Sequence, residues 1–402
     1  MTRSGAPGDL DPDLAVPDGA EQIEDEQDAV DPTERGSEML RNRRRVLSVF
    51  AAVALMIIAI YGVFPKAVGL DGTFDRFDEA TWYWIVVAFC IPFLTYYSYA
   101  ILVRSVFGKR GPDHVRERLD LRASGLITLA ALAASALFSA AGAGGVALTY
   151  WALRKAGMER RRAVCREVAF LAILYSVYLL AIVVFGVLLA AEVLPGDDHV
   201  SVTIVPAAVA GGAIVLLLLT ALLPGDMERR VRSLEGRPRL SKLARRLAAL
   251  PATLAQGVRT AIEHLRNPRL GPEAYAAAIG FWAGNIMTLW ASFKAFGVEV
   301  PFGVLVQGFF VGMVANLAPS PAAGVGTVDA GLIGAFVVFG LDADAVFPAV
   351  LVFRLIGFWL PIPLGVVAYL RLLPIANRWA EERAAADTIQ SEVKARPGEV
   401  RA

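Results

Sequence analysis

The chain of 402 residues is 56% hydrophobic and only 19% charged, with a mean hydropathy of +0.53. Water-soluble domains average about 25% charged residues and about 45–50% apolar ones, so this composition excludes an ordinary soluble protein. The formal net charge of +1 conceals an uneven distribution, because acidic and basic side chains occupy different parts of the chain.

Residues 1–40 form an acidic segment with twelve acidic side chains and two basic ones. The segment contains proline and glycine but almost no large apolar residues. It therefore cannot bury enough surface to offset the entropy that ordering would cost. We predict a disordered cytoplasmic tail over residues 1–40.

Six later segments are apolar over the length that a membrane crossing requires. A helix needs about 20 such residues to cross roughly 30 Å of hydrocarbon. The predicted spans are 46–64, 82–103, 168–191, 202–223, 274–293 and 345–370. The sequence therefore predicts an all-α, polytopic helical bundle embedded in the membrane.

The orientation of these spans follows from the charges between them, because lysine and arginine accumulate in cytoplasmic loops. Four arginines between residues 41 and 45 precede the first span, whereas the loop 65–81 has four acidic and two basic side chains. The loop 224–272 has eleven basic and four acidic side chains and an amphipathic pattern. We predict a cell-membrane protein with this loop, the N-terminal tail and the C-terminal tail 374–402 all in the cytoplasm.

Two further apolar segments are interrupted and do not have the pattern of a simple membrane crossing. The segment 123–153 has basic clusters on both sides and a glycine-rich centre at 142–145, while 301–340 is interrupted by prolines and glycines between 319 and 326. We predict that each is a re-entrant hairpin, the first entering from the cytoplasm and the second from outside. Non-helical backbone at such depth requires surrounding protein or a wet cavity.

The two interruptions resemble one another, since residues 140–146 and 322–328 match at five of seven positions. Opposed hairpins in two halves are typical of inverted-repeat transporters, whose substrate site lies near the midplane. Broken helices direct backbone N–H groups inward, which suits an anionic head group.

Arg354 is the charged residue that lies well inside a predicted span, and Asp329, just after the second glycine turn, is its natural partner. A charge at that depth is expensive and usually functional. Two interpretations stay open, a structural ion pair and a role in substrate or proton handling, and both can hold.

Other sequence patterns indicate helix packing or argue against metal and catalytic sites. The spacings Gly280 to Gly284 and Gly308 to Gly312 are typical of helix packing faces. Two cysteines and three scattered histidines predict neither a disulfide framework nor a zinc site. With no catalytic constellation in the sequence, we expect no metal, no cofactor and no nucleic-acid partner.

The run Leu317-Ala318-Pro319-Ser320-Pro321-Ala322-Ala323-Gly324-Val325-Gly326-Thr327-Val328-Asp329-Ala330 resembles the Pro-x-Pro-Gly-Gly-x-Gly-x-x-Glu-Ala motif of the lysylphosphatidylglycerol synthase/flippase family. The stretch from Arg354 to Pro361 resembles the final helix of that family. Residues 143–157 resemble its N-terminal glycine motif. The resemblance covers roughly residues 41–373, with Asp329 standing where glutamate is usual.

This resemblance and the opposed hairpins predict a lipid translocase for an anionic phospholipid, a modified phospholipid or a polyprenyl-phosphate lipid. Two alternatives stay open: a membrane transferase component of lipid aminoacylation or glycosylation without its own soluble catalytic domain, and a non-catalytic cell-envelope scaffold. Membrane lipids are the expected partners, and a homo-oligomer or cell-envelope enzyme partners also stay open. The candidate substrate-binding residues are Pro319, Pro321, Gly324, Gly326, Asp329 and Arg354, together with Gly142, Gly144, Gly145 and Arg154.

Overall fold

The computed structural model describes residues 77, 80–109, 113–137, 143–196, 199–222, 255–268, 270–317, 324 and 326–395. All of them belong to one compact unit, which runs from Ile60 to Ala402. Every regular element within these residues is a helix. The prediction of an all-α protein is therefore confirmed for the described part of the chain.

We number the helices in chain order. Helix α1 (Trp82–Val103) continues into a π-helical turn, Arg104–Gly108, and α11 (Ala343–Arg354) continues into a second one, Leu355–Trp359. The other helices are α2 (Asp113–Arg118), α3 (Leu121–Leu137), α4 (Ala143–Lys155), α5 (Arg160–Ala190), α6 (Ile204–Leu222), α7 (255–266), α8 (Gly271–Ala295), α9 (Phe302–Met313), α10 (Thr327–Val338) and α12 (Pro361–Ala395).

Four helical segments among the described residues are long and apolar enough to cross a membrane, namely Trp82–Gly108, Arg160–Ala190, Gly271–Ala295 and Ala343–Ala386. They coincide with four of the six predicted spans. The predicted span 202–223 corresponds to α6, whose apolar stretch Ile204–Leu219 is shorter, and the span 46–64 lies outside the described residues. A multi-pass membrane protein is therefore supported, whereas the count of six crossings stays a prediction.

Helix α12 continues beyond the predicted span that ends at residue 370 and runs through much of the polar segment after it. Residues 377–395 are rich in alanine, glutamate and arginine, which are strong helix formers. Arg118 of α2 donates to Glu382 of α12 at 3.0 Å and fixes one point along this extension. The helix thus extends beyond its apolar part.

Helix α1 packs along α8, and glycines set their separation. A Cβ atom on Gly284 would overlap the side chain of Thr95, and one on Gly280 would lie 2.8 Å from the hydroxyl of Ser98. The predicted packing role of this glycine spacing is confirmed.

Helices α9 and α10 pack on each other as closely as α1 and α8 do. A Cβ atom on Gly308 would lie 2.7 Å from the ring of Phe336, and one on Gly312 would lie 2.7 Å from Cα of Leu332. The second glycine spacing is thus also a packing face. The pair α3 and α4 uses Gly145 in the same way, since a Cβ atom there would lie 2.8 Å from the carbonyl oxygen of Ala131.

Helix α5 is tied to α8 and α9 by buried hydrogen bonds from aromatic side chains. The indole Nε1 of Trp282 donates to the carbonyl of Leu174 at 2.9 Å, and the hydroxyl of Tyr178 donates to the carbonyl of Phe310 at 2.6 Å. The rings of Tyr178 and Phe310 also meet edge to face, with centroids 4.8 Å apart. These contacts hold the α9–α10 pair against the long helices.

Candidate functional site

The candidate site lies where α10 begins and α11 ends. Gly324 and Gly326 precede α10 with φ angles of +86° and +83°, in the left-handed region that glycine adopts without steric cost. Gly326 is the N-cap of α10, and Asp329 is in its first turn. Arg354 is the last residue of α11, which packs against α10.

The structure brings Asp329 and Arg354 together. Nε of Arg354 donates to Oδ1 of Asp329 at 2.7 Å, and Nη2 of the same guanidinium donates to the carbonyl oxygen of Gly324 at 3.3 Å. The second carboxylate oxygen, Oδ2, accepts the backbone N–H of Gly326 at 2.9 Å. One carboxylate therefore joins the start of α10 to the end of α11.

Both charged residues are buried, with Arg354 5% and Asp329 9% exposed. Charge-assisted hydrogen bonds of this kind are stronger than bonds between neutral groups. The carboxylate also lies near the positive end of the α10 dipole, which favours negative charge. The pair compensates for much of the desolvation that each charge alone would suffer.

A π-helical turn follows Arg354 directly and adds an aromatic neighbour. The guanidinium carbon of Arg354 lies 4.4 Å from the centroid of the Phe358 ring, within the range of a cation–π contact. The π-turn closes with a bond from the Leu360 N–H to the Leu355 carbonyl at 3.2 Å. Such turns are rare in helices and frequent at functional sites.

Two buried polar atoms flank the ion pair in sequence. The hydroxyl of Thr327, at the first position of α10, and the indole Nε1 of Trp359, at the end of the π-turn, have no hydrogen-bond partner among the described residues. Sequence reasoning missed both, and it missed the roles of Phe358 and the Gly324 carbonyl. Of these groups, the sequence gives a signal for Phe358 alone. It lies four residues after Arg354, which places the two side chains on one helix face.

The candidates in the first half of the chain are placed differently. Gly144 and Gly145 lie in the first turn of α4, where Gly145 contacts α3. Nη1 of Arg154 donates to the carbonyl of Met158 at 3.0 Å and so bonds the backbone just after its own helix. Pro319, Pro321 and Gly142 lie outside the described residues.

No group of three or more histidine, cysteine, aspartate or glutamate side chains within the described residues is arranged to hold a metal ion. The described site offers groups for charge recognition and hydrogen bonding. Its groups are a guanidinium, a carboxylate, a hydroxyl and an indole N–H.

Comparison with known proteins gives the family. Residues 46–365 match the family described as the lysylphosphatidylglycerol synthase TM region, which is well over half of the chain. The chain belongs to this family. The matched range includes Gly324, Asp329 and Arg354, and the predicted resemblance is confirmed at the level of the family.

Individual relatives are more distant. A UPF0104 membrane protein of Methanothermobacter thermautotrophicus is 26% identical over 167 residues, covering 39% of this chain and 50% of the relative. A second match to a UPF0104 membrane protein of the same organism is 31% identical over 112 residues, covering 28% of this chain and 31% of the relative. The chain thus spans half or less of the length of these relatives. No solved structure matches the chain.

Proposed function

We propose that this protein is a lipid translocase of the flippase type, which moves an anionic phospholipid, a modified phospholipid or a polyprenyl-phosphate lipid between leaflets. The observation that carries the proposal is the buried Asp329–Arg354 pair at the N-terminus of α10. The family supports a membrane lipid as the substrate, since its description names a lipid synthase.

The proposed topology has six crossings, both termini in the cytoplasm and two opposed re-entrant hairpins in an inverted repeat. In this arrangement α3–α4 form the first hairpin and α9–α10 the second. Close glycine contacts in both pairs are compatible with short helices that pack on each other within the bundle. The long helices α1, α5 and α8 would then enclose them.

In the proposed mechanism the lipid phosphate competes with Asp329 for Arg354. The guanidinium carries five N–H donors in a planar fork, which suits a phosphate as well as a carboxylate. The positive end of α10 lies beside it, and the Thr327 hydroxyl could donate to the same head group. Exchange of partners at Arg354 would free the start of α10 from α11, which couples head-group binding to movement of the hairpin.

The test is leaflet exchange in liposomes. The reconstituted protein should accelerate exchange of a fluorescently labelled anionic lipid, and Arg354→Ala should abolish the acceleration. Arg371→Ala is the matched control, because Arg371 is an exposed arginine on the neighbouring helix α12 and its loss should leave the rate unchanged. A wild-type protein that accelerates no anionic lipid would refute the proposal.

Comparative lipid analysis separates translocation from lipid modification. Cells without the protein should keep their total lipid composition but show altered outer-leaflet exposure of one anionic lipid. Loss of a modified lipid while its transbilayer movement stays normal would instead favour a transferase.

A further inference from the structure

Glu167 is a buried carboxyl that the proposed head-group site does not use. It lies in α5, seven residues after Arg160, which places it roughly 10 Å along the helix from its basic start. Glu167 is 5% exposed, and its Oε2 atom has no hydrogen-bond partner among the described residues. This differs from Asp329, whose two carboxylate oxygens both accept hydrogen bonds.

The surroundings of Glu167 are aromatic. Tyr99 of α1 packs on this part of α5 through Phe170. The Tyr99 ring meets the rings of Phe170 and Phe281, with centroids 5.3 Å and 4.9 Å away. Phe170 lies three residues after Glu167, on the same face of α5. The part of α5 that carries the buried Glu167 is therefore packed against aromatic side chains.

Several ionisable side chains next to Glu167 or on neighbouring elements have partners of their own. Arg166, next to Glu167, donates to the carbonyl of Phe107 at 2.9 Å, and Arg154 of α4 donates to Met158. His264 of α7 contacts the hydroxyl of Ser105 at 3.3 Å.

On the side of α8, Lys109 forms an ion pair with Glu273. The described residues of α6 and α9 carry no ionisable side chain. The structure thus describes no cation that pairs with Glu167.

A carboxylate without a partner is strongly disfavoured in an apolar region, whereas the protonated acid is tolerated. We propose that Glu167 is a proton-binding site, protonated in this conformation and deprotonated when water reaches it. In that step the carboxyl O–H bond breaks, the proton passes to water, and a carboxylate remains. Coupling of this step to lipid movement rests on the translocase function proposed above, but protonation itself does not.

A second feature of this region supports a moving element. The π-helical turn Arg104–Gly108 packs against α5 beside Glu167, and its Phe107 carbonyl accepts the bond from Arg166. Phe107 also stacks on Phe170, with centroids 5.3 Å apart. A return of this turn to α-helical hydrogen bonding would shift Phe107 and admit water. Arg160, Arg161 and Arg162 would then stabilise the resulting carboxylate from the basic end of α5.

Infrared spectroscopy of the full chain in liposomes tests the proton site directly. A protonated carboxyl has a C=O stretch that is distinct from carboxylate bands, so wild type should show it at neutral pH and Glu167→Gln should lose it. Glu299→Gln is the control, because the Glu299 side chain is 85% exposed and its loss should leave the band unchanged. An unchanged band in Glu167→Gln would overturn the proposal.

Thermal unfolding gives an independent readout of the same site. A neutral Glu167 can be replaced by glutamine or methionine with little change in melting temperature, because no buried charge loses its partner. A large drop in both variants would show that an ionised Glu167 holds a cation, and would overturn the proposal.

Lipid exchange between leaflets then tests whether proton release from Glu167 is coupled to lipid movement. In vesicles of phosphatidylglycerol and phosphatidylcholine, the exchange rate of wild type should respond to an imposed pH difference, and Glu167→Gln should lose that response while still exchanging lipid. An identical pH response in both proteins would refute coupling. If wild type exchanges no lipid, the translocase proposal fails and the infrared band alone decides the proton site.

Discussion

At the residue scale, Arg354 shows how this chain retains a cation among apolar side chains. Its guanidinium has a carboxylate at one edge, a backbone carbonyl at another and the Phe358 ring against its face. A buried ion pair is weak evidence for net stabilisation, because desolvation offsets much of the attraction. Removing one partner is much more costly, because it leaves the other charge buried and uncompensated.

A double-mutant cycle should therefore be strongly non-additive. We expect Asp329→Leu and Arg354→Met each to lower the free energy of unfolding by about 3–5 kcal/mol. In the double variant, the free energy of unfolding should fall by far less than the sum of the two single losses, since neither buried charge then remains. Unfolding by a denaturing detergent, followed by circular dichroism, measures all three. Additive losses would mean that the two side chains stabilise the protein independently.

The same cycle separates the two interpretations of the pair. A double variant that is folded but exchanges no lipid would show that the charges do more than fix α10 to α11. Lipid exchange at the wild-type rate in that variant would leave the pair with a structural role alone.

At the element scale, the helices α9 and α10 are held closer than side chains normally allow. A Cβ atom on Gly331 would lie 2.5 Å from the carbonyl oxygen of Gly312 and 2.6 Å from Cβ of Ala315. Because the first of these neighbours is backbone, no side-chain rotation can relieve the overlap. The hydroxyl of Tyr178 fixes the far side of α9 through the Phe310 carbonyl, so separation of the pair would be resisted there as well.

Two alanine substitutions one turn apart on α10 test this packing. Gly331→Ala should lower stability by about 1–3 kcal/mol, the usual cost of overpacking. Gly334→Ala is the matched control, since a Cβ atom there meets nothing within 4 Å. It should stabilise the helix by about 0.5–1 kcal/mol, because glycine loses more backbone entropy than alanine. Equal melting temperatures for the two variants would contradict the close contact.

The elements also show which features a sequence can reveal. Arg354 and Asp329 were detectable because a charge in an apolar run and a carboxylate after a glycine turn are rare in such segments. The glycine spacings in α8 and α9 were detectable because close helix packing requires small residues at fixed intervals. The π-turns were not detectable, since their shifted hydrogen bonds leave no mark in the pattern of apolar residues. The burial of Glu167 was not detectable either, because it depends on which neighbours cover that face of α5.

At the scale of the whole molecule, segregated charges predict an orientation in the membrane. The basic side chains before the first predicted span, the basic loop 224–272 and the more acidic loop 65–81 agree with one predicted assignment of inside and outside. That assignment depends on residues 301–340 returning to the side from which they enter. A single crossing there would place every later residue on the opposite side.

Three cysteine substitutions decide between a hairpin and a crossing. In a background with Cys90→Ala and Cys165→Ala, single cysteines replace Glu299 before α9, Asp344 at the start of α11 and Glu381 on α12, all exposed positions. In intact cells a membrane-impermeant maleimide should label Glu299→Cys and Asp344→Cys, and it should label Glu381→Cys only after permeabilisation. The unsubstituted background should stay unlabelled throughout. If Asp344→Cys also needed permeabilisation, residues 301–340 would cross once, and the opposed hairpins that place Arg354 near the membrane midplane would be wrong.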